Sequence, residues 1–495
     1  MICGVSVRQP QVAGGRAQPA LPSPPLSAQG DRIAWTFAQF KKLRQVTLAT
    51  GKRTSRMTAT RHHNSDLNSA LAEARERYAA ARPLSEGIHR RARAVLPGGN
   101  TRSVLFYTPF PTAMARGHGC FLEDVDGHHY IDFCGEYTAG LFGHSEPRIQ
   151  AALHAAIERG LNLASVGERE GQLAALLCAR FPSCERLRFT NSGTEANMMA
   201  LGAARAFTGR PGILAFRGGY HGGLLTLVGA GSPINSPIPV TLADYNDTPQ
   251  TIELLCAHAD EIAAVILEPM MGSGGCIPAN LQFLRALREA CLEAGVLLLF
   301  DEVMTSRHSS GGLQKLRGVI PDLTTLGKYM AGGMSFGAFG GRGDVMDLFD
   351  AHRPGALIHS GTFNNNVLTM AGGMVAMGEI FDAAAADALL ARGEDLRTRL
   401  NAICSERAVG MHFSGLGSMM QPHFRKGPIE RPYAATAKEE ALRELYFFDL
   451  LAAGIYVARR GMIAMSLPIG AAECDRLATA VDEFCALRAP LMAMV

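Results

Sequence analysis

The sequence predicts an α/β protein with a mostly parallel central sheet covered by helices on both faces. Three observations carry that reading. Between about residue 150 and residue 340, short apolar runs alternate with helical stretches, the pattern of strands joined by crossover helices. These runs are almost continuously apolar, which suits strands buried on both sides. Glycine is in excess, 54 of 495 residues, and without a Gly-x-y period that excess means tight loops and close backbone approaches.

Residues 1–56 stand apart. They hold nine Lys/Arg against the single acid Asp31, five prolines and the only tryptophan, Trp35. An arginine-rich targeting peptide has this composition. So does a disordered extension, or a stretch read from an upstream start codon with Met57 as the working start, and the lack of an amphipathic period favours these over a targeting peptide. A charged helical pattern then runs from Asn64 to Val95 and stops at the turn Pro97–Gly99. Phe121–Val125 and His129–Phe133 read as strands about the turn signal Asp126-Gly127. The apolar runs of the central sheet are Leu187–Thr190, Gly212–Phe216, Ala263–Leu267, Val296–Phe300, Leu323–Leu326 and Phe336–Gly340. Beyond about residue 380 the pattern turns more polar, with helices predicted over Ala383–Cys404 and Lys438–Ala453. The expected organisation is an extension (1–56), an N-terminal segment (57–150), a large domain (151–380) and a C-terminal domain (381–495).

Composition excludes several functions. At 47% hydrophobic and 19% charged residues, disorder over most of the chain is ruled out. The net charge of +3 belongs to the first 56 residues. Residues 57–495 carry 39 basic against 44 acidic side chains, so no basic footprint for nucleic acid is expected. No apolar run approaches the ~18–20 residues of a membrane span. The eleven cysteines show no CxxC or paired spacing, which points to reduced thiols in a cytoplasmic protein without a metal site.

Lysine is scarce, and Lys328 has the least solvated surroundings, Thr-Leu-Gly-Lys-Tyr-Met-Ala-Gly-Gly-Met, after a predicted strand. Such surroundings disfavour the charged amine and make it a plausible nucleophile towards aldehydes; a lysine snorkelling to the surface has the same local sequence. Twenty-seven residues earlier, the buried strand Val296–Phe300 runs into Asp301. Ligands bind beyond the carboxyl ends of strands in open α/β sheets. A carboxylate there can keep a ring nitrogen protonated, as pyridoxal phosphate requires, or simply cap the next turn. Phe189-Thr-Asn-Ser-Gly-Thr-Glu-Ala-Asn197 leads from strand to helix. Ser192 and Glu195 have capping-box spacing, and the Gly193 and Thr194 amides could cradle a phosphate. An ordinary helix cap looks the same, although neither a Walker A loop nor GxGxxG fits. Tyr220 and His221 lie on a Gly-flanked loop, Glu268 ends a strand, and Gly361 and Thr362 lie in an Asn-rich loop.

As a set, Ser192-Gly-Thr194, Gly219-Tyr-His-Gly222, Glu268-Pro269, Phe300-Asp-Glu-Val303, Leu326-Gly-Lys328 and Gly361-Thr362 resemble the class III aminotransferases in order and spacing. The resemblance covers residues 60–495. It implies a fold-type I pyridoxal-phosphate-dependent transferase, with a smaller α+β domain formed by the N- and C-terminal segments. Within the class, the branch shared by glutamate-1-semialdehyde aminomutases and aromatic β-amino acid aminotransferases is most similar. By that likeness Lys328 bonds the cofactor and shuttles protons, and Asp301 pairs with its ring nitrogen. Tyr220 and Val303 flank the ring, and Ser192, Gly193 and Thr194 bind the phosphate. Thr362, beside Gly361, completes the phosphate cup from the partner subunit of a homodimer. His221 and Glu268 stand at the ring edge.

The stretch Gly98-Gly-Asn-Thr-Arg-Ser-Val-Leu-Phe-Tyr107 departs from the mutase pattern and resembles the β-phenylalanine branch. Arg102 would then hold the donor carboxylate by a bidentate pair. Val104, Tyr137 and Tyr220 would shape the aryl pocket, with Ser360 as a polar neighbour. Arg460 resembles the acceptor-binding arginine, although the adjacent Arg459 leaves the register open by one. Met271 stands where relatives carry Gln. The expected reaction passes the amine of an aromatic β-amino acid to 2-oxoglutarate or pyruvate. Aminomutase activity and a non-catalytic dimeric scaffold are the alternatives.

Overall fold

The computed structural model describes residues 66–492. The readings for residues 1–56 lie outside the described residues. Seven strands form the central sheet: β1 Arg186–Thr190, β2 Gly212–Phe216, β3 Val240–Ala243, β4 Ile262–Leu267, β5 Leu297–Asp301, β6 Leu323–Gly327 and β7 Gly337–Gly341. Their spatial order is β1-β7-β6-β5-β4-β2-β3. Only β7 is antiparallel to its neighbours; the other pairings are parallel.

The continuous apolar runs separate cleanly by the two-residue period of a strand. Leu214, Phe216, Val265, Leu267, Leu298 and Phe300 pack on one side with Phe283, Leu284 and Leu287 of the helix Leu281–Ala294. Ile213, Ala215, Ala264, Ile266, Leu297 and Leu299 face the other side. There they meet Ala196, Ala200, Leu201 and Ala204 of the helix Gly193–Thr208. Helices therefore cover both faces, as expected. Six of the seven strands lie where the sequence predicts them, within a residue at each end. The exception, β3, is a half-buried edge strand directly after Pro239, too short and mixed to register as an apolar run.

The segments flanking this sheet interleave. Strands Met114–His118, Phe121–Asp124 and His129–Asp132 form a meander, and Ile455–Tyr456 joins it parallel to His129–Asp132. Helices Leu67–Ala80 and Ala437–Ala452 pack together: the Tyr78 and Phe448 rings are 5.2 Å apart, and Arg75 pairs with Glu444 at 2.7 Å. The predicted helical stretch from Asn64 is in fact two helices. Pro83 opens the second, Pro83–Arg93, where its missing N–H costs nothing. A further sheet, His412–Leu416, Met419–His423 and Ile463–Ala464, lies within the C-terminal segment.

Candidate active site

Asp301 is the last residue of β5, buried, and opposite Thr325 of β6 in the parallel register. Lys328 follows β6 directly, with a left-handed φ of 59°. The two groups therefore leave adjacent strands at the same edge of the sheet, three residues apart in level. Among the described residues, Lys328 Nζ has no hydrogen-bond or ion-pair partner. Burial, followed by nearby Arg102 and Arg460, pushes its amine below the usual range, while Glu136 and Asp301 oppose the shift.

Asp301 is held from three sides. Asn197 Nδ2 donates to Oδ2 at 2.8 Å, His221 Nδ1 pairs with the same oxygen at 2.8 Å, and Val303 N donates to Oδ1 at 3.0 Å. Glu268 lies behind this group and accepts from Tyr220 N (3.0 Å) and Gly272 N (2.9 Å). Burial pushes its carboxyl up to about 7; His221 counters the rise and Asp301 adds to it. Tyr220 is half-exposed, whereas Met271 is buried in an apolar cluster of the sheet.

The helix Gly193–Thr208 starts at Ser192, whose Oγ accepts from Glu195 N at 3.2 Å. The return arm of the capping box is displaced by one residue: Glu195 Oε2 accepts from Asn191 N at 2.8 Å. Among the described residues nothing accepts from the Gly193 or Thr194 N–H, two orphan donors at a positive helix end. Glycine lets the loops interlock here. A Cβ on Gly193 would lie 2.7 Å from Val303 Cγ2, and one on Gly222 (φ 107°) would lie 2.2 Å from Thr194 Oγ1.

Ser360, Gly361 and Thr362 are exposed. Their loop is tied to the Ser192 loop of the same chain through Asn364 Oδ1, which accepts from Asn191 Nδ2 at 2.9 Å. The Thr362 hydroxyl makes no hydrogen bond among the described residues.

Arg102, Tyr137 and Arg460 come together. The two guanidinium carbons lie 5.5 and 5.6 Å from the Tyr137 ring centroid, within cation–π range. Tyr137 OH donates to the Val104 carbonyl at 3.2 Å. Arg459 is engaged elsewhere, with Glu444 at 2.9 Å. The geometry thus separates the two arginines: Arg460 faces the site and Arg459 does not. Two residues absent from the sequence-based list join the group, Asn197 on Asp301 and Glu136 on Arg102. Asn197 is the one buried polar side chain on the apolar face of its helix, a signal readable in the sequence. Glu136 gives none.

A partnerless amine, a strand-end carboxylate held by donors and two free amides at a helix start fit pyridoxal phosphate. The comparisons agree. The model of the family "Aminotransferase class-III" matches residues 106–468. The chain is 50% identical to the beta-phenylalanine transaminase of Variovorax paradoxus over 418 residues, 84% of this chain and 96% of that protein. The crystal structure of the Variovorax paradoxus beta-phenylalanine aminotransferase superposes with a TM-score of 0.84, covering 86% and 98% of the two chains. The glutamate-1-semialdehyde 2,1-aminomutase of Methanothermobacter thermautotrophicus is 37% identical over 386 residues, 75% of this chain and 91% of its own. A transaminase solved with PLP bound has 32% identity and a TM-score of 0.76 over 83% of this chain and 98% of its own. The chain belongs to the class III aminotransferases and is a pyridoxal-phosphate-dependent enzyme.

Proposed function

We propose that the enzyme takes the amine of an aromatic β-amino acid, such as β-phenylalanine, and passes it to 2-oxoglutarate or pyruvate, leaving a β-keto acid. The observation that carries this reading is the pair of guanidinium groups, Arg102 and Arg460, on the Tyr137 ring beside Lys328. Two carboxylate seats beside one aromatic ring suit a site that accepts an aryl carboxylate and a dicarboxylate in turn.

When bound, the cofactor supplies an aldehyde that takes up the amine and a protonated ring that withdraws electrons. Lys328 Nζ would hold the cofactor through its aldehyde carbon and would move the proton at the amine-bearing carbon of the substrate. Asp301, bonded to Asn197, His221 and the Val303 amide, would hold the ring nitrogen of the bound cofactor. Ser192, Gly193 and Thr194 bind the phosphate. Gly361 and Thr362 do so from the partner subunit of a homodimer. Val303 and Tyr220 would hold the two faces of the cofactor ring, with His221 and Glu268 contributing beside it. Arg102 holds the donor carboxylate, Val104, Tyr137 and Tyr220 shape the aryl pocket with Ser360 beside it, and Arg460 takes the acceptor carboxylate. We assign residues 151–380 to the large domain, and the described residues within 57–150 and 381–495 to the small one. We place the enzyme in the cytoplasm, a reading supported by the ten free cysteines of the described residues. No helix among those residues is long and apolar enough to cross a membrane.

Incubation with β-phenylalanine, with and without 2-oxoglutarate, tests the reaction. Glutamate should form only when both are present. Acceptor-independent turnover of glutamate 1-semialdehyde would instead establish the aminomutase.

A further inference from the structure

The two arginines on Tyr137 are not equivalent. Arg460 meets no carboxylate among the described residues. Its Nη2 lies 2.8 Å from Met462 Sδ, and its buried Nε has no partner. Arg102 already carries a carboxylate, donating from Nη1 to Glu136 Oε1. Both members of that pair are open to solvent, with side-chain exposures of 42% and 55%. Both also act on the Lys328 amine, in opposite directions, so the pair stands within electrostatic reach of the reacting centre.

The backbone that presents Glu136 is built for this contact. Gly135, Glu136, Tyr137 and Thr138 all have positive φ, at 51°, 48°, 54° and 83°, a run that L side chains avoid. Asp132 Oδ1 pins its start by accepting from Cys134 N and Gly135 N at 2.9 and 3.0 Å. In an extended strand successive side chains point to opposite faces. The left-handed run instead aims two successive residues at one segment: Glu136 at the Arg102 guanidinium and Tyr137 OH at the Val104 carbonyl.

We infer that Glu136 is an internal occupant of Arg102 which a substrate carboxylate must displace, so that Glu136 sets the affinity for carboxylate donors. The inference rests on the proposed role of Arg102 as the donor's carboxylate seat. An exposed ion pair is weak, so the competition should cost a ligand only about two- to fivefold in affinity. That is small enough for substrate to displace Glu136 readily. A donor without a carboxylate gains nothing from displacing it.

The test is a calorimetric titration of the holoenzyme with 3-phenylpropanoate, an aryl carboxylate that has no amine to transfer. Glu136→Gln should tighten its binding about two- to fivefold, and Glu136→Ala should match it. Arg102→Met should weaken binding, and Glu136→Gln added to Arg102→Met should give no further gain. Affinity for 1-phenylethylamine should stay unchanged in Glu136→Gln. Three results would each overturn the inference: no tightening in either Glu136 variant, the same tightening in the Arg102→Met background, or no binding of 3-phenylpropanoate at all. The second of these would reduce Glu136 to a general negative field. Failure of the proposed reaction would show separately, as missing glutamate formation by the wild-type enzyme.

Discussion

Asn197 donates to Asp301 in a fixed orientation. Thr325 Oγ1 donates to Asn197 Oδ1 at 2.6 Å, which turns the amide hydrogens towards Asp301 Oδ2 at 2.8 Å and the His221 carbonyl at 3.1 Å. A donor on a buried carboxylate both satisfies and positions it. Asn197→Ala should therefore lower kcat/KM by about ten- to a hundredfold, equivalent to a hydrogen bond lost from a charged group. Thr325→Val only frees the amide to rotate and should cost less. Steady-state kinetics of both variants check this, and equal losses would contradict the orienting role of Thr325.

Lys328→Ala should abolish transamination. Borohydride should fix the cofactor to the wild-type chain and fail to do so in the variant. Mass spectrometry of the reduced proteins reads the difference directly.

Arg459 and Arg460 should separate structure from binding. Arg460→Ala removes a charge that has no carboxylate partner among the described residues and should raise the KM for 2-oxoglutarate by about tenfold or more. Arg459→Ala breaks the 2.9 Å pair with Glu444. It should cost about 1 kcal/mol of stability and leave that KM in place. Kinetics together with thermal unfolding distinguish the two.

Gly193 has no room for a side chain, because its Cβ would meet Val303 Cγ2 and Cγ1 at 2.7 and 2.8 Å. Gly193→Ala should weaken cofactor binding through about 1–3 kcal/mol of overpacking. Val303→Ala in the same chain should recover much of that loss by making space. Titration of the cofactor-free variants measures both.

Glu268 couples stability to pH. Its carboxyl is raised to about 7 by burial, with His221 opposing and Asp301 adding, so the folded protein binds this proton more tightly than the unfolded chain does. The associated stability is present in full below about pH 4.3, the unfolded value, and is lost as pH rises through about 7. Across that window the unfolding free energy of the cofactor-free wild type should fall relative to Glu268→Gln by about 3 kcal/mol. Denaturant titrations at a series of pH values give the slope.

The sequence made the strand ends legible, because a buried apolar run that stops on Asp301 or reaches Lys328 concentrates chemistry at the sheet edge. The helix cap at Ser192 was legible from the spacing of Ser192 and Glu195, although the actual arm to Asn191 depends on a backbone turn that spacing does not encode. The register between Arg459 and Arg460 could not be read locally, since Glu444, which takes Arg459, lies on a different helix. Glu136 was silent for a similar reason. Its direction follows from the left-handed run after Asp132, and only Gly135 in that run is a residue type that announces such a conformation. The pairing of Ile455–Tyr456 with His129–Asp132 joins residues more than 300 positions apart, beyond the reach of any periodicity.

A second long-range contact, of helix Leu67–Ala80 with helix Ala437–Ala452, governs how the chain can mature on the ribosome. All seven strands of the central sheet have been synthesised once Gly341 is made, whereas helix Leu67–Ala80 meets its mate only when Ala437–Ala452 emerges. The middle of the polypeptide can thus settle before its beginning, reversing the usual amino-to-carboxyl order of assembly. Nascent chains halted before residue 437 should present the apolar face around Tyr78 to chaperones, while the sheet behind it resists protease.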